Sequence, residues 1–359
     1  MPKSKKLLYA ASTMSHINNF HIGYINSLRE EGHEVLIMAR GEGADFDIPF
    51  EKKLFSSRNT ACRREIKKII RSGGFDGIIL NTSLAAFHIR FACPRKDRPH
   101  IVNIVHGYLF SRDVNPIKAA LLLLCEKLMR HKTDAIITMN EADYLIATKH
   151  RLARGKIYRS RGMGAAVRAE ITAPDNIRRE YFSKDAFVMT FVGELSGRKN
   201  QAFLIKALRE IKPHIPTAVL CLVGDGDARG ELEALAQESG LSESVIFVGS
   251  RRDACDFIRA SDLYVSASSI EGMPFNLIEA LGAGKTVLAS RVKGHEDLIE
   301  DGVDGYLYEF GNIEEFVNKA CQINRNDGLS AEKIRNKYLK YEKASVFPET
   351  LATVKEALL

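Results

Sequence analysis

Apolar and polar positions alternate along this chain in two rhythms. Short apolar runs at 7–11, 34–39, 77–80, 101–105, 134–139 and 156–160 are bounded by glycine, proline or polar residues and read as buried strands. Between them, apolar residues recur at three- and four-residue spacing over 20–31, 60–71, 85–91, 116–131 and 141–148, which predicts helices with one apolar face. The pattern then begins afresh, with strands at 187–192, 218–223, 245–248, 263–267 and 286–289 and helices at 200–211, 228–238, 253–259 and 275–282. Strands alternating with helices predict parallel sheets covered on both faces, so the fold class is α/β with two doubly wound, Rossmann-like domains. Between Gly162 and Asp175 glycine, alanine and proline replace the periodic pattern. This marks a first domain over 1–165 and a second over 166–341, with a C-terminal helix over about 342–359 expected to pack back on the first. Open sheets of this kind bind ligands beyond the carboxyl ends of their strands, so the site is expected in a cleft between the two domains.

The length of 359 residues agrees with two cores rather than one. No apolar run approaches the roughly 20 residues that span a bilayer. The longest candidate, 119–125, passes directly into Glu126, Lys127 and Arg130 and reads as a buried helix. Lys3, Lys5 and Lys6 precede a short apolar segment that continues into Ser12, Thr13 and Ser15, which suits a first strand better than a signal peptide. The six cysteines form no Cys-x-x-Cys pair, so neither a zinc site nor a disulfide framework is suggested; reduced thiols in a cytoplasm are expected. The net charge of +7 is unevenly spread: residues 1–165 carry +13 and the rest −6. Arg63, Arg64, Lys67, Lys68 and Arg71 share one face of a predicted helix, and Arg95, Lys96 and Arg98 form a second cluster. Such a surface suits an anionic lipid or substrate, or simply water. Aromatics are not interleaved with the charges, which speaks against nucleic acid.

The densest chemistry lies in Ser269-Ile270-Glu271-Gly272-Met273-Pro274-Phe275-Asn276-Leu277-Ile278-Glu279. Here a strand ends, glycine and proline break the chain, and a helix begins with one glutamate on the loop and a second one to two turns further in. Free N–H groups at a helix start favour an anion, so a diphosphate flanked by two sugars fits between these carboxylates; an ordinary strand-loop-helix with two solvated glutamates is the alternative. Gly193-Glu194-Leu195-Ser196-Gly197-Arg198-Lys199-Asn200 likewise follows a strand, and presents two cations at the mouth of a helix. Three weaker signatures are set aside. Gly282-Ala283-Gly284-Lys285-Thr286 follows a helix instead of opening one, Gly224-Asp225-Gly226 lacks the spacing of a dinucleotide fingerprint, and Asp225-Gly226-Asp227 has no further ligands for a metal.

Together with Leu222-Val223-Gly224-Asp225-Gly226, Val245-Ile246-Phe247-Val248-Gly249, Ala260-Ser261-Asp262 and Ile299-Glu300-Asp301-Gly302-Val303-Asp304-Gly305-Tyr306, these segments resemble the C-terminal domain of glycosyltransferase family 4, the retaining enzymes of GT-B fold. The first domain, through Ser15-His16-Ile17-Asn18-Asn19-Phe20-His21-Ile22, Asp47-Ile48-Pro49-Phe50 and Val105-His106-Gly107-Tyr108, is similar to bacterial exopolysaccharide and capsule transferases of that family. The resemblance covers nearly the whole chain. It implies that Glu279 holds the ribose hydroxyls, that Lys199 with Arg198 holds the diphosphate, and that Glu271 contacts the donor sugar with backbone N–H groups from Met273, Pro274, Phe275, Asn276 and Leu277 helping. Proline has no N–H, so Pro274 contributes position only. Gly224 lines the site, Gly249 and Arg251 line the base, and His106 stands near the donor sugar. Where the family has arginine this chain has Glu194, and Arg198 is expected to substitute; His16 and the residues to His21 replace a glycine pair.

The implied reaction transfers a hexose or N-acetylhexosamine from a nucleoside-diphosphate sugar, expected to be a UDP-sugar, to a glycan or polyprenyl-diphosphate-linked acceptor, with retention. No metal and no cofactor are expected, the nucleotide sugar being a substrate. The partners are that donor, the acceptor and an anionic membrane surface touched peripherally, at the inner face of a plasma membrane. A nucleotide-sugar epimerase of the same architecture and a non-catalytic protein of anionic membranes are the alternatives.

Overall fold

The computed structural model describes residues 4–51, 56–108, 110, 115–165, 174–325 and 329–359. It divides into a first unit, Met1–Met163 with Val346–Leu359, and a second, Gly164–Ser345. The first break falls two residues before the expected one, and the C-terminal helix, Lys343–Ala357, runs across the second break.

The first unit holds seven strands, β1 (Lys6–Thr13), β2 (Glu34–Arg40), β3 (Phe46–Asp47), β4 (Gly77–Asn81), β5 (His100–Val105), β6 (Ala135–Thr138) and β7 (Ile157–Arg159), in the order β3-β2-β1-β4-β5-β6-β7. The second holds β8 (Phe187–Val192), β9 (Ala218–Val223), β10 (Val245–Gly249), β11 (Leu263–Ser266), β12 (Val287–Ser290) and β13 (Tyr306–Tyr308), in the order β10-β9-β8-β11-β12-β13. Every pairing is parallel. In each sheet the first strand of the unit is central and the strand order reverses beside it, between β1 and β4 and between β8 and β11. Chains leaving such neighbours diverge to opposite faces, which opens a crevice at their carboxyl ends.

Both faces of β8 are buried, as a parallel sheet requires. Phe187, Met189 and Phe191 join one core layer with Leu204, Leu208 and Phe316, while Val188 and Val192 join the other with Phe257, Leu277 and Ile278. The pairing of β8 with β9 runs level from Phe187–Ala218 to Val192–Val223, so their following loops emerge side by side.

Several elements differ from the expected ones. The helix expected over 20–31 starts at Met14, where the Thr13 hydroxyl accepts from the His16 N–H (3.3 Å); Ile17–His21 is a π-helix, and Ile22–Glu30 returns to α. The polar run through Ser15, His16, Asn18 and Asn19 carries no 3.6-residue apolar period, which is why the pattern hides it. The edge strands β3 and β13 are too short for any period. The helices Pro174–Tyr181, Ile313–Arg325 and Ala331–Tyr338 also lie outside the expected set. The stretch 119–125 is not a buried helix: in Pro116–Met129, Leu121 and Leu124 are 46% and 51% exposed. Its leucines run all round the helix, so the pattern could not say which would face water. Among the described residues, no helix is long and apolar enough to cross a membrane.

Candidate active site

The switch point of the second unit gathers the predicted charges. After β8 the chain turns through Gly193 (φ +151°) and Lys199 to the helix Gln201–Ile211; after β11 it carries Glu271 to the helix Phe275–Gly282. The Ser269 N–H donates to the Arg198 carbonyl (2.9 Å), which clips the two loops together. Across that clip the Lys199 ammonium donates to Glu271 Oε1 at 2.6 Å, and Arg198 Nη1 donates to Glu271 Oε2 at 3.3 Å and to the Ile270 carbonyl at 3.1 Å. Glu271 is buried, which by itself would raise its pKa. The Lys199 and Arg198 cations outweigh burial and hold the carboxyl down at about 2. The local balance is therefore two cations against one carboxylate, a surplus positive charge beside a helix start.

Glycine at two positions is a steric requirement. A Cβ on Gly224 (φ +142°) would lie 1.9 Å from the Gly193 carbonyl oxygen, and one on Gly294 (φ +89°) 2.8 Å from the Glu271 Cβ. Gly224 thus lets the ends of β8 and β9 touch, and its N–H donates to the Gly249 carbonyl (2.8 Å). Gly294 lets the segment after β12 close on Glu271, whose N–H donates to the Lys293 carbonyl (3.2 Å). His295, fully buried, sits behind, with Nδ1 2.8 Å from the Ser290 carbonyl oxygen. Burial lowers its pKa against the pull of Glu271, so the ring is neutral. Lys293, Gly294 and His295 were missed by sequence reasoning; the available signal was a glycine-histidine pair just past a strand's carboxyl end.

Glu279 lies half-buried on the helix Phe275–Gly282. Burial pushes its carboxyl up to about 7, partly countered by Cys255 and Arg259. Asn276 Nδ2 donates to the Val192 carbonyl (2.6 Å), which pins the helix start to the end of β8. Of the helix-start amides expected to be free, that of Leu277 already donates to the Pro274 carbonyl (3.1 Å). Met273 and Phe275 are half-buried and Pro274 is buried. Arg251 leaves the carboxyl end of β10 but is held by Asp253 through Nε and Nη2 at 2.9 and 2.7 Å. Glu194 is exposed, and the Asp225 carboxylate is engaged with Arg229 and its own turn. The Lys285 ammonium donates to the Ser261 carbonyl, not to a phosphate loop.

In the first unit, His106 follows β5 and meets two histidines from the chain after β1. His21 Nε2 lies 3.1 Å from His106 Nε2 and 3.2 Å from His16 Nε2, while its Nδ1 lies 2.9 Å from the Tyr9 hydroxyl. His16 and His21 are five apart, which an α-helix would set on different faces. The π-turn, closed by the Ile22 N–H on the Ile17 carbonyl, aligns positions five apart and brings both rings to one point. Burial pushes His16 down to about 4 and His21 and His106 well below the usual range, so all three are neutral imidazoles near pH 7. Among the described residues these three are the group whose donor atoms lie near enough to hold a metal ion, although their mutual contacts and Tyr9 already use most of the nitrogens. Close by, Thr82 holds φ +64°, unusual for a β-branched residue, while its hydroxyl accepts from the Ser12 N–H (3.0 Å).

Comparison with known proteins bears on this geometry. Residues 174–343, the greater part of the second unit, match the family model "Glycosyl transferases group 1". EpsD of Bacillus subtilis (strain 168), itself assigned as a glycosyltransferase, is 30% identical over 335 residues, which are 89% of this chain and 87% of EpsD. A UDP-Gal:alpha-D-GlcNAc-diphosphoundecaprenol alpha-1,3-galactosyltransferase of Escherichia coli is 24% identical over 75% of this chain and 72% of its own. Among solved structures, HepE of Anabaena in complex with UDP and glucose superimposes with a TM-score of 0.78 at 21% identity, over 98% of this chain and all of that one. Sucrose-phosphate synthase of Thermosynechococcus elongatus gives 0.80 at 17% identity, over 98% of both chains. The two-sheet architecture is thus that of GT-B glycosyltransferases, and the chain belongs to the group 1 glycosyltransferase family.

Proposed function

We propose that the protein is a retaining transferase that moves a hexose or N-acetylhexosamine from a UDP-sugar to a glycan or polyprenyl-diphosphate-linked acceptor in bacterial surface polysaccharide synthesis. The observation that carries this reading is the cluster of Arg198, Lys199 and Glu271 at the switch point of the second sheet. Its surplus positive charge suits a diphosphate, and Lys199 and Arg198 can stabilise the charge that builds on the leaving nucleotide as the glycosidic bond breaks. Glu271, ionised and fixed in position, accepts hydrogen bonds from donor-sugar hydroxyls. Glu279 takes the ribose hydroxyls, and the Gly249–Arg251 loop takes the base. His106, neutral and backed by His21, hydrogen-bonds a sugar hydroxyl. The leaving diphosphate accepts the acceptor's proton, so the step needs neither a protein nucleophile nor a metal. The lipid-linked acceptor named for the Escherichia coli relative supports a lipid-linked acceptor here, used at the inner face of a plasma membrane.

A thermal-shift screen of nucleoside diphosphates and their sugars, followed by radiolabelled transfer to lipid-linked acceptors, tests the reading. Stabilisation by UDP that disappears in Lys199→Ala supports it. Stabilisation by another base only corrects the donor, and no response to any nucleotide refutes it.

A further inference from the structure

The helix Pro116–Met129 of the first unit is firmly oriented and yet apolar on its outer side. Arg90, fully buried on the helix Ser83–Ala92, grips both oxygens of Glu126, Nη1 to Oε2 at 2.9 Å and Nη2 to Oε1 at 2.7 Å. Cys125 and Met129 pack on Phe87, and Leu122 and Leu123 pack toward the core around Val105 and Ile136. With that face fixed, Ile117, Leu121, Leu124 and Leu128 stand out with exposures of 81%, 46%, 51% and 61%. At 100° per residue their spacing of four, three and four confines them to a stripe about 60° wide. Lys118 and Lys127, both exposed, fall roughly 80–100° to either side of it. Beyond the last turn the Lys132 ammonium donates to the Phe91 and Cys93 carbonyls (3.0 and 2.6 Å), Cys93 standing two and three residues before the exposed Arg95 and Lys96. On the neighbouring helix Phe91 is 49% exposed, with the Arg63 guanidinium 4.1 Å from its ring centre.

Four aliphatic side chains in a line, flanked on both sides by ammonium groups, match a boundary where hydrocarbon meets negative charge. The aliphatic groups leave water while the lysines reach outward to phosphates. We propose that this helix docks the protein on an anionic lipid bilayer, lying in the headgroup plane with Ile117, Leu121, Leu124 and Leu128 at the acyl boundary. Lys118 and Lys127 neutralise lipid phosphates beside them, and the cations around Lys132 add attraction at one end. The docking deepens the reading that the acceptor is lipid-linked, but it is measured without either sugar substrate, so the two stand or fall separately.

The test is sedimentation of the full chain with phosphatidylcholine vesicles, with and without about one-third phosphatidylglycerol. Binding is expected to the anionic vesicles, and to be lost near 1 M salt, where the Debye length falls to about 3 Å. Lys118→Gln/Lys127→Gln should weaken binding roughly thirtyfold, at about fivefold per lysine. Leu121→Glu/Leu124→Glu should abolish it while circular dichroism and the melting temperature stay at wild-type values; if that variant misfolds, the lysine pair alone decides. Wild-type protein left in the supernatant, binding indifferent to headgroup charge, or an unchanged lysine variant overturns the proposal. So does light scattering in which the leucine variant turns a dimer into a monomer without vesicle binding, for the face would then belong to a second copy of the chain.

Discussion

Glu279→Gln tests the second unit at its most unusual carboxyl. Burial on the helix Phe275–Gly282 moves Glu279 from 4.5 to about 7. A carboxyl harder to ionise in the folded than in the unfolded chain favours folding while it is protonated. That advantage is lost as the pH rises from about 4.5 through 7, and the loss is constant above. At about 1.4 kcal/mol per pH unit the ceiling is ~3.4 kcal/mol, and partial exposure to water reduces it to about 1–2 kcal/mol. Glutamine keeps the shape but cannot ionise. The variant should therefore match wild type near pH 4.5 and exceed it at about pH 8 by 1–2 kcal/mol, roughly 2–8 °C in melting temperature for a unit of this size. Thermal melts of both proteins across that range isolate Glu279, because every other group titrates alike in the two. The same substitution should weaken UDP binding about 10–150-fold, the worth of a charge-assisted hydrogen bond. A stability difference that ignores pH, or a variant less stable than wild type at alkaline pH, refutes the reasoning: Glu279 would then be an ionised group with its needs already met.

Lys199→Met should cost about 2–4 kcal/mol in denaturant unfolding, because it leaves the Glu271 carboxylate buried with Arg198 alone; adding Glu271→Gln should recover most of that stability but no transfer activity. His106→Gln should lower turnover by about 2–13-fold, the worth of one neutral hydrogen bond, while calorimetry finds UDP affinity unchanged, and a parallel loss of UDP affinity would show that the histidine acts on nucleotide binding. Gly224→Ala should lower stability by more than about 3 kcal/mol or prevent soluble expression, since its Cβ meets a backbone oxygen at 1.9 Å; a variant that melts like wild type would contradict the close approach of β8 and β9.

What the chain declares in its pattern and what it conceals follow from the range of the interactions. The strands β8 and β9 coincide with their predicted bounds, because a strand buried on both faces is a continuous apolar run. Arg198, Lys199 and Glu271 were legible for a related reason: each follows such a run by a few residues, on a loop whose direction the sheet dictates. The contact of Gly294 with Glu271 was not, since it depends on how closely two backbones pass, and neither residue's neighbours in sequence report that distance. His16 and His21 were visible as residues, but their convergence on His106 was hidden, because spacing of five reads as divergence on an α-helix. The outward face of Pro116–Met129 escaped for the opposite reason. Its leucines surround the helix, and only the Arg90–Glu126 pair, formed by partners 36 residues apart, decides which of them meets water.

The π-turn Ile17–His21 makes the histidine cluster depend on how the chain is wound as well as on residue identity. Such a turn is an α-helix carrying one residue too many, so removing Asn18 or Asn19 would let the helix close regularly. Every side chain from His21 onward would keep its own chemistry, and Ile22–Glu30 could keep its packing by a small slide. His16 and His21 would then be four apart, a spacing that a regular α-helix also sets on one face. A single deletion would thus keep the three histidines together, whereas winding the same residues as a regular α-helix, with His16 and His21 still five apart, would part them.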